Sequence, residues 1–145
     1  MEKISGLLLF LRLAWPCKKG KLKTRKITPD DSEHLDSLVY NHRAPTIHFL
    51  EKCFHSAVND YRGSCEKDGY DADFSFDSVL NHWRYHHNNN HYGDCATTEP
   101  TIVDISKNIK VIVGSRMIKV KNPYNLELQV GDTILVHMRT IALVL

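Results

Sequence analysis

The chain has 145 residues and a mass of 16.7 kDa, with 42% hydrophobic residues, 25% charged residues and a formal net charge of +2. That composition suits one globular domain, or one domain with an appended segment, and it excludes wholesale disorder, a collagen-like repeat and a long coiled coil. The small net charge is a sum of unequal parts: residues 1–27 carry eight cations against one acid, residues 28–73 carry ten acids against four cations, and the remainder comes to +1.

The N-terminal stretch Gly6–Trp15 reads GLLLFLRLAW. It is too short to span a bilayer as a helix, which takes roughly 18 apolar residues. Arg12 interrupts it, and Pro16-Cys17-Lys18-Lys19-Gly20-Lys21 beyond it offers no small-x-small cleavage pattern, so an intracellular setting is expected rather than secretion. In that setting Cys17, Cys53, Cys65 and Cys95 are free thiols, and none of them forms a C-x-x-C pair. Residues 4–15 have three readings. The first is a core helix. The second is a membrane-surface anchor, in which residues 4–26 lie on an anionic membrane and Lys18, Lys19, Lys21, Lys23, Arg25 and Lys26 supply the charge; the chain is then a peripheral membrane protein, structural or viral in character. The third, weaker for want of interleaved aromatics, is a polyanion arm on nucleic acid phosphates.

Thr28-Pro29-Asp30-Asp31 is the clearest local signal. Thr28 can cap a helix, Pro29 fits its first turn, and the two acids complement the positive end of the helix dipole. The spacing of Leu35, Leu38 and Val39 carries that helix over about 29–42. Ala44-Pro45 breaks the pattern. A second helix is expected over about 46–62, with Ile47, Leu50, Phe54, Val58 and Tyr61 on one stripe. A third starts near Ser75, with Phe76, Val79, Leu80 and Trp83 on its apolar face, and frays into Asn88-Asn89-Asn90.

From Thr101 the period changes. Runs at 101–105, 109–113, 116–121, 125–129, 133–138 and 140–145 alternate and are rich in β-branched residues. Gly114-Ser115, Asn122–Asn125 and Gly131-Asp132 supply turns between them. The expected architecture is α+β: a basic and apolar N-terminal arm or helix over 1–27, a helical region over 28–94 with three or four helices in all, and a small antiparallel β-barrel over 95–145.

Nine histidines is a high count for this length, and the candidate ligands His82, His86, His87, His91 and Cys95 crowd together. His82 and His86 stand four apart on the third expected helix, which puts two imidazoles on one face, a spacing that can serve one metal. His91 and Cys95 follow on a loop that can fold back to supply further ligands. Such a His/Cys set suits tetrahedral zinc. No Glu lies between the paired histidines, so the metalloprotease motif is absent, and no G-x-S-x-G elbow, phosphate loop or dinucleotide fingerprint occurs. The sequence therefore points to a non-enzymatic binding or adaptor protein with an unidentified protein partner, in which zinc ties the helices to the barrel.

The run Val130-Gly131-Asp132-Thr133-Ile134-Leu135-Val136-His137 resembles the signature of the small hydrogenase-maturation chaperones of the HypC/HupF type. Gly114, Val120 and Leu126 fall at family positions, and Cys95 and Pro100 are similar to the family's opening Cys-x3-Pro, spaced one residue wider. The resemblance covers residues 95–145. It implies a small β-barrel in which Cys95 and His137 hold iron during hydrogenase assembly, and it adds His137 to the candidate ligands His82, His86, His91 and Cys95.

Overall fold

A computed structural model describes residues 3–145. Its helices are α1 (Gly6–Ala14), α2 (Lys18–Lys23), α3 (Pro29–Tyr40), α4 (Ile47–Cys53), α5 (His55–Asp68) and α6 (Phe76–Tyr85), with single 3-10 turns at Trp15–Cys17, His87–Asn90 and Gly93–Cys95. The strands are β1 (Thr101–Asp104), β2 (Ile109–Val113), β3 (Arg116–Val120), β4 (Ile134–His137) and β5 (Thr140–Val144).

The central element is α1. Ser5 caps it, its hydroxyl accepting from the Leu8 amide. Every residue from Leu8 to Ala14 is buried, so the helix is enclosed on all sides rather than amphipathic. The Phe10 ring lies 5.8 Å from Tyr61, 5.6 Å from Phe74 and 5.7 Å from Trp83, which locks α1 against α5 and α6. Arg12 is enclosed too; its Nη1 donates to the Ala142 carbonyl of β5 and its guanidinium lies over the Tyr124 ring. The leucines that a membrane anchor would place in lipid, Leu8, Leu9, Leu11 and Leu13, thus lie inside the protein. No described helix is long and apolar enough to cross a membrane. Of the cationic tract, Lys18 pairs with Asp36 of α3 and Lys21 is half-buried, while Lys19, Lys23, Arg25 and Lys26 are exposed.

Two departures among the helices have visible causes. Pro16 sits in the 3-10 turn that separates α1 from α2. The single helix expected over 46–62 is two, α4 and α5, because Phe54 leaves the helical region (φ −131°, ψ 53°) with its side chain buried in the main core. Before them, α3 begins at the capping box of Thr28 and Asp31, each side chain accepting from the other's backbone amide.

The expected barrel is not formed. β1, β2 and β3 make one antiparallel sheet, and β4 and β5 make a second. Isolated bridges at Thr98–Val136, Thr101–Thr133 and Lys121–Thr140 tie the sheets together, but no continuous ladder closes them. The strand expected over 125–129 is also missing. The Asn122 side chain takes both backbone groups of Leu126, accepting from its amide and donating to its carbonyl, so the bonds a neighbouring strand would make are already used. The architecture is thus a cluster of more helices than the three or four expected, followed by two small sheets. A second, smaller core of Ile102, Val111, Val120, Ile134, Val136 and Ile141 lies between the sheets, and Leu126 packs against both cores.

Candidate metal centre

The site is built where α6 ends. Ser75 caps the start of α6 and its last helical residue is Tyr85. His86 departs from helical geometry (φ −122°, ψ −34°), and the chain tightens into the 3-10 turn His87–Asn90. His91 is extended, and a second 3-10 turn, opened by Gly93 at φ 59°, carries Cys95. The loop is closed from within. Asn88 accepts from the Thr97 amide at 2.7 Å and donates to its carbonyl at 2.9 Å, while the Thr97 hydroxyl donates back to the Trp83 carbonyl at 2.8 Å. The asparagine run, which reads in sequence as a fraying end, thus contributes the tie that sets the loop's shape.

Three side chains at a regular spacing of four converge on one side of this loop. The ligand atoms of His87, His91 and Cys95 all lie within 4.8 Å of one another, a group that can hold a metal ion. His91 Nδ1 is 3.2 Å from Cys95 Sγ. The His87 ring is sandwiched between Trp83, at 4.2 Å, and His91, at 3.9 Å with 7° between the planes. Its Nε2–H donates to the Cys95 carbonyl at 2.8 Å.

His137, the last residue of β4, approaches from the sheets. Its Nδ1–H donates to the Leu13 carbonyl at 2.6 Å, which leaves the Nε2 lone pair 3.9 Å from Cys95 Sγ. The turn after it is held to the loop: Met138 N–H donates to the Asp94 carbonyl, and Arg139 pairs with both carboxylate oxygens of Asp94 at 3.1 and 3.2 Å. Met138 and Arg139 both have positive φ, near 53–54°, which a non-glycine residue adopts at some cost. The Asp94 contacts hold that turn in register beside Cys95.

His82 and His86 lie outside this group. His82 is 2% exposed and its Nδ1 meets Ser64 of α5 at 2.7 Å. His86 pairs with Asp68, also of α5. The reason is local: a pair four apart shares a face only while the helix continues, and α6 stops at Tyr85. His87, one of the crowded candidates that the helical 82/86 pairing leaves out of the expected ligand set, belongs to the group; the 87/91/95 spacing is the signal that singles it out. His34, His42, His48 and His55 are exposed.

Burial sets the protonation of the group. It pushes His87 down to about 3, opposed by its bond to the Cys95 carbonyl and helped by neighbouring histidines. It lowers His137 in the same way and raises the Cys95 thiol. At neutral pH these two imidazoles are uncharged, with lone pairs available, and metal uptake would release the thiol proton. A cavity of about 230 Å³ adjoins the group, lined also by Ala14, Cys17, Phe54 and Trp83. Cys17 is half-buried there, and desolvation, followed by the nearby Cys95, pushes its thiol up to about 11. Trp83 Nε1 is buried with no partner among the described residues.

The chain matches no protein-family profile, no curated protein and no solved structure.

Proposed function

We propose that this protein binds zinc through His87, His91 and Cys95, with His137 as the fourth ligand, and that the metal joins the end of the helical part to the second sheet. The convergence of His87, His91 and Cys95 donors within 4.8 Å carries this reading. In tetrahedral zinc sites the metal lies about 2.0–2.3 Å from nitrogen and sulfur, so donors stand about 3.3–3.8 Å apart. The separations of 3.2 Å from Cys95 Sγ to His91 and 3.9 Å from Cys95 Sγ to His137 lie within about 0.1 Å of either end of that span. A site with four protein ligands leaves no position for substrate, which supports a structural metal in a binding or adaptor protein rather than an enzyme.

Metal analysis of the purified chain tests this. The expected result is one zinc per chain, lost on Cys95→Ser or His91→Ala, and a fall in melting temperature when a chelator is added. Absence of stoichiometric metal, with melting unchanged by chelator, refutes it.

A second reading rests on one distance. Cys95 and His137, the two residues that the resemblance to the maturation chaperones singles out, approach to 3.9 Å across 42 positions of sequence. On that reading the same donors handle iron, and protein purified without oxygen carries iron in place of zinc. Iron-loading activity that survives Cys95→Ala rules it out.

A further inference from the structure

The two nitrogens of His91 face different neighbours. Nδ1 lies beside Cys95 Sγ at 3.2 Å, while Nε2 lies 4.0 Å from a carboxylate oxygen of Asp60. Asp60 stands on α5, an element that contributes none of the donors. An ionised carboxylate only accepts, so the nitrogen facing it carries the hydrogen and the opposite nitrogen keeps its lone pair. Metal-ligating imidazoles are regularly held this way, one nitrogen on the metal and the other donating to a carboxylate or carbonyl.

The remaining imidazoles of the centre show the same pattern with backbone oxygens: His87 donates to the Cys95 carbonyl at 2.8 Å and His137 to the Leu13 carbonyl at 2.6 Å. For His91 the acceptor is a side chain. Its ring is otherwise steadied by a parallel stack on His87 at 3.9 Å. Stacking does not select a nitrogen, because a half-turn of the ring about its bond keeps the stack and exchanges Nδ1 for a carbon. A charged acceptor on one edge does distinguish the two orientations.

We infer that Asp60 is a positioning residue for the metal centre: its carboxylate accepts from the Nε2–H of His91 and so presents Nδ1, beside Cys95 Sγ, as the donor. This rests on the metal reading above. The 4.0 Å separation is longer than a hydrogen bond, and the Asp60 side chain is 48% exposed, so turning its carboxylate to close the gap displaces nothing in the core.

Affinity for Zn²⁺ and Co²⁺ is measured against a chromophoric chelator for the full chain and for Asp60→Ala, Asp60→Asn and Asp60→Glu. The expected result is binding weakened about 10–100-fold in the Ala and Asn variants and largely recovered in Glu. The thiolate-to-cobalt absorption and the one-to-one stoichiometry persist in all four, and the metal-free melting temperatures agree. Unchanged affinity in the Ala and Asn variants overturns the inference and leaves the metal reading standing. A loss of affinity matched by a lower metal-free melting temperature also overturns it, since it marks a merely structural role. A wild-type chain that binds neither ion overturns both.

Discussion

Acid sensitivity of the fold is the sharpest consequence of the histidines that lie inside it. His82 is 2% exposed, and Ser64, which donates to the Tyr61 carbonyl, is left to accept from His82 Nδ1–H. Nε2 then holds a bare lone pair with no partner among the described residues. Protonating it would place a charge among Tyr61, Trp83 and His87 without an acceptor. Burial, followed by the nearby His86 and His91, accordingly depresses His82 from 6.5 to about 4. The folded-state pKa lies below the unfolded one, so the unfolded chain takes up the proton first as pH falls. Stability is therefore full above the unfolded value of 6.5 and declines between there and about 4, where the folded form also protonates. Integrating the difference in proton uptake from pH 7 to pH 5 gives a loss of about 2 kcal/mol from this one residue. Urea unfolding in chelator at the two pH values measures it for the wild type and for His82→Asn, which keeps a donor toward Ser64 but does not titrate. The variant is expected to lose about 2 kcal/mol less than the wild type between pH 7 and pH 5. Equal losses in both would show that His82 is not held neutral, and the reasoning from burial would fail.

Further predictions test the packing and the frame around the centre. A Cβ on Gly6 would lie 2.0 Å from the Phe74 carbonyl oxygen, so Gly6→Ala must move α1 away from the start of α6, with an expected loss of about 1–3 kcal/mol or more in chemical denaturation. Phe10→Ala empties the space between Tyr61, Phe74 and Trp83, and is expected to cost about 3–5 kcal/mol by the same measurement. Met138→Asn, at φ 53° in the turn between β4 and β5, relieves backbone strain while leaving the Arg139–Asp94 pair; thermal melting is expected to rise by the equivalent of about 0.5–1 kcal/mol. Asp94→Ala removes the carboxylate that holds Arg139, and chelator competition should show weaker metal retention with little change in the metal-free melting temperature.

How much of this was legible in the sequence depended on whether a feature is set by neighbours along the chain. The start of α3 was legible because Thr28 and Asp31 complete their capping box within four residues. The missing strand over 125–129 was not, because alternation in Leu126 and Leu128 marks burial equally well when an Asn122 side chain replaces the partner strand. The break at Phe54 was hidden by its own hydrophobicity: the residue is buried, as a helical stripe would bury it, but in a non-helical conformation. The metal candidates divide along the same line. The pair His82 and His86 reads well on paper because helical spacing was extended one residue past the end of α6, and the end of a helix is decided by contacts of the chain beyond it. Asn88 closing onto Thr97 decides it here, through a contact between residues nine apart.

The placement of the centre also explains why the charge division matters less than the carbonyl at the end of α1. Among the described residues, Lys18 alone of the cationic tract forms an ion pair with the acidic helical segment, through Asp36. The firmer connection between the N-terminal segment and the rest is uncharged: the Tyr124 hydroxyl donates to the Arg12 carbonyl and His137 donates to the Leu13 carbonyl. Carbonyls in the last turn of a helix lack an intrahelical donor, so α1 meets this need with side chains from the segments beyond β3. His137 is consequently fixed by α1 on one nitrogen and faces Cys95 with the other. The proposed ligand set, drawn from the loop after α6 and from β4 with its imidazoles oriented by α1, by α5 and by the loop's own Cys95 carbonyl, would require all of these elements to be docked at once. Metal retention in this protein should therefore report on the integrity of the whole fold. A substitution as remote as Gly6→Ala is expected to weaken metal binding and to lower stability together, whereas Asp60→Asn should separate the two.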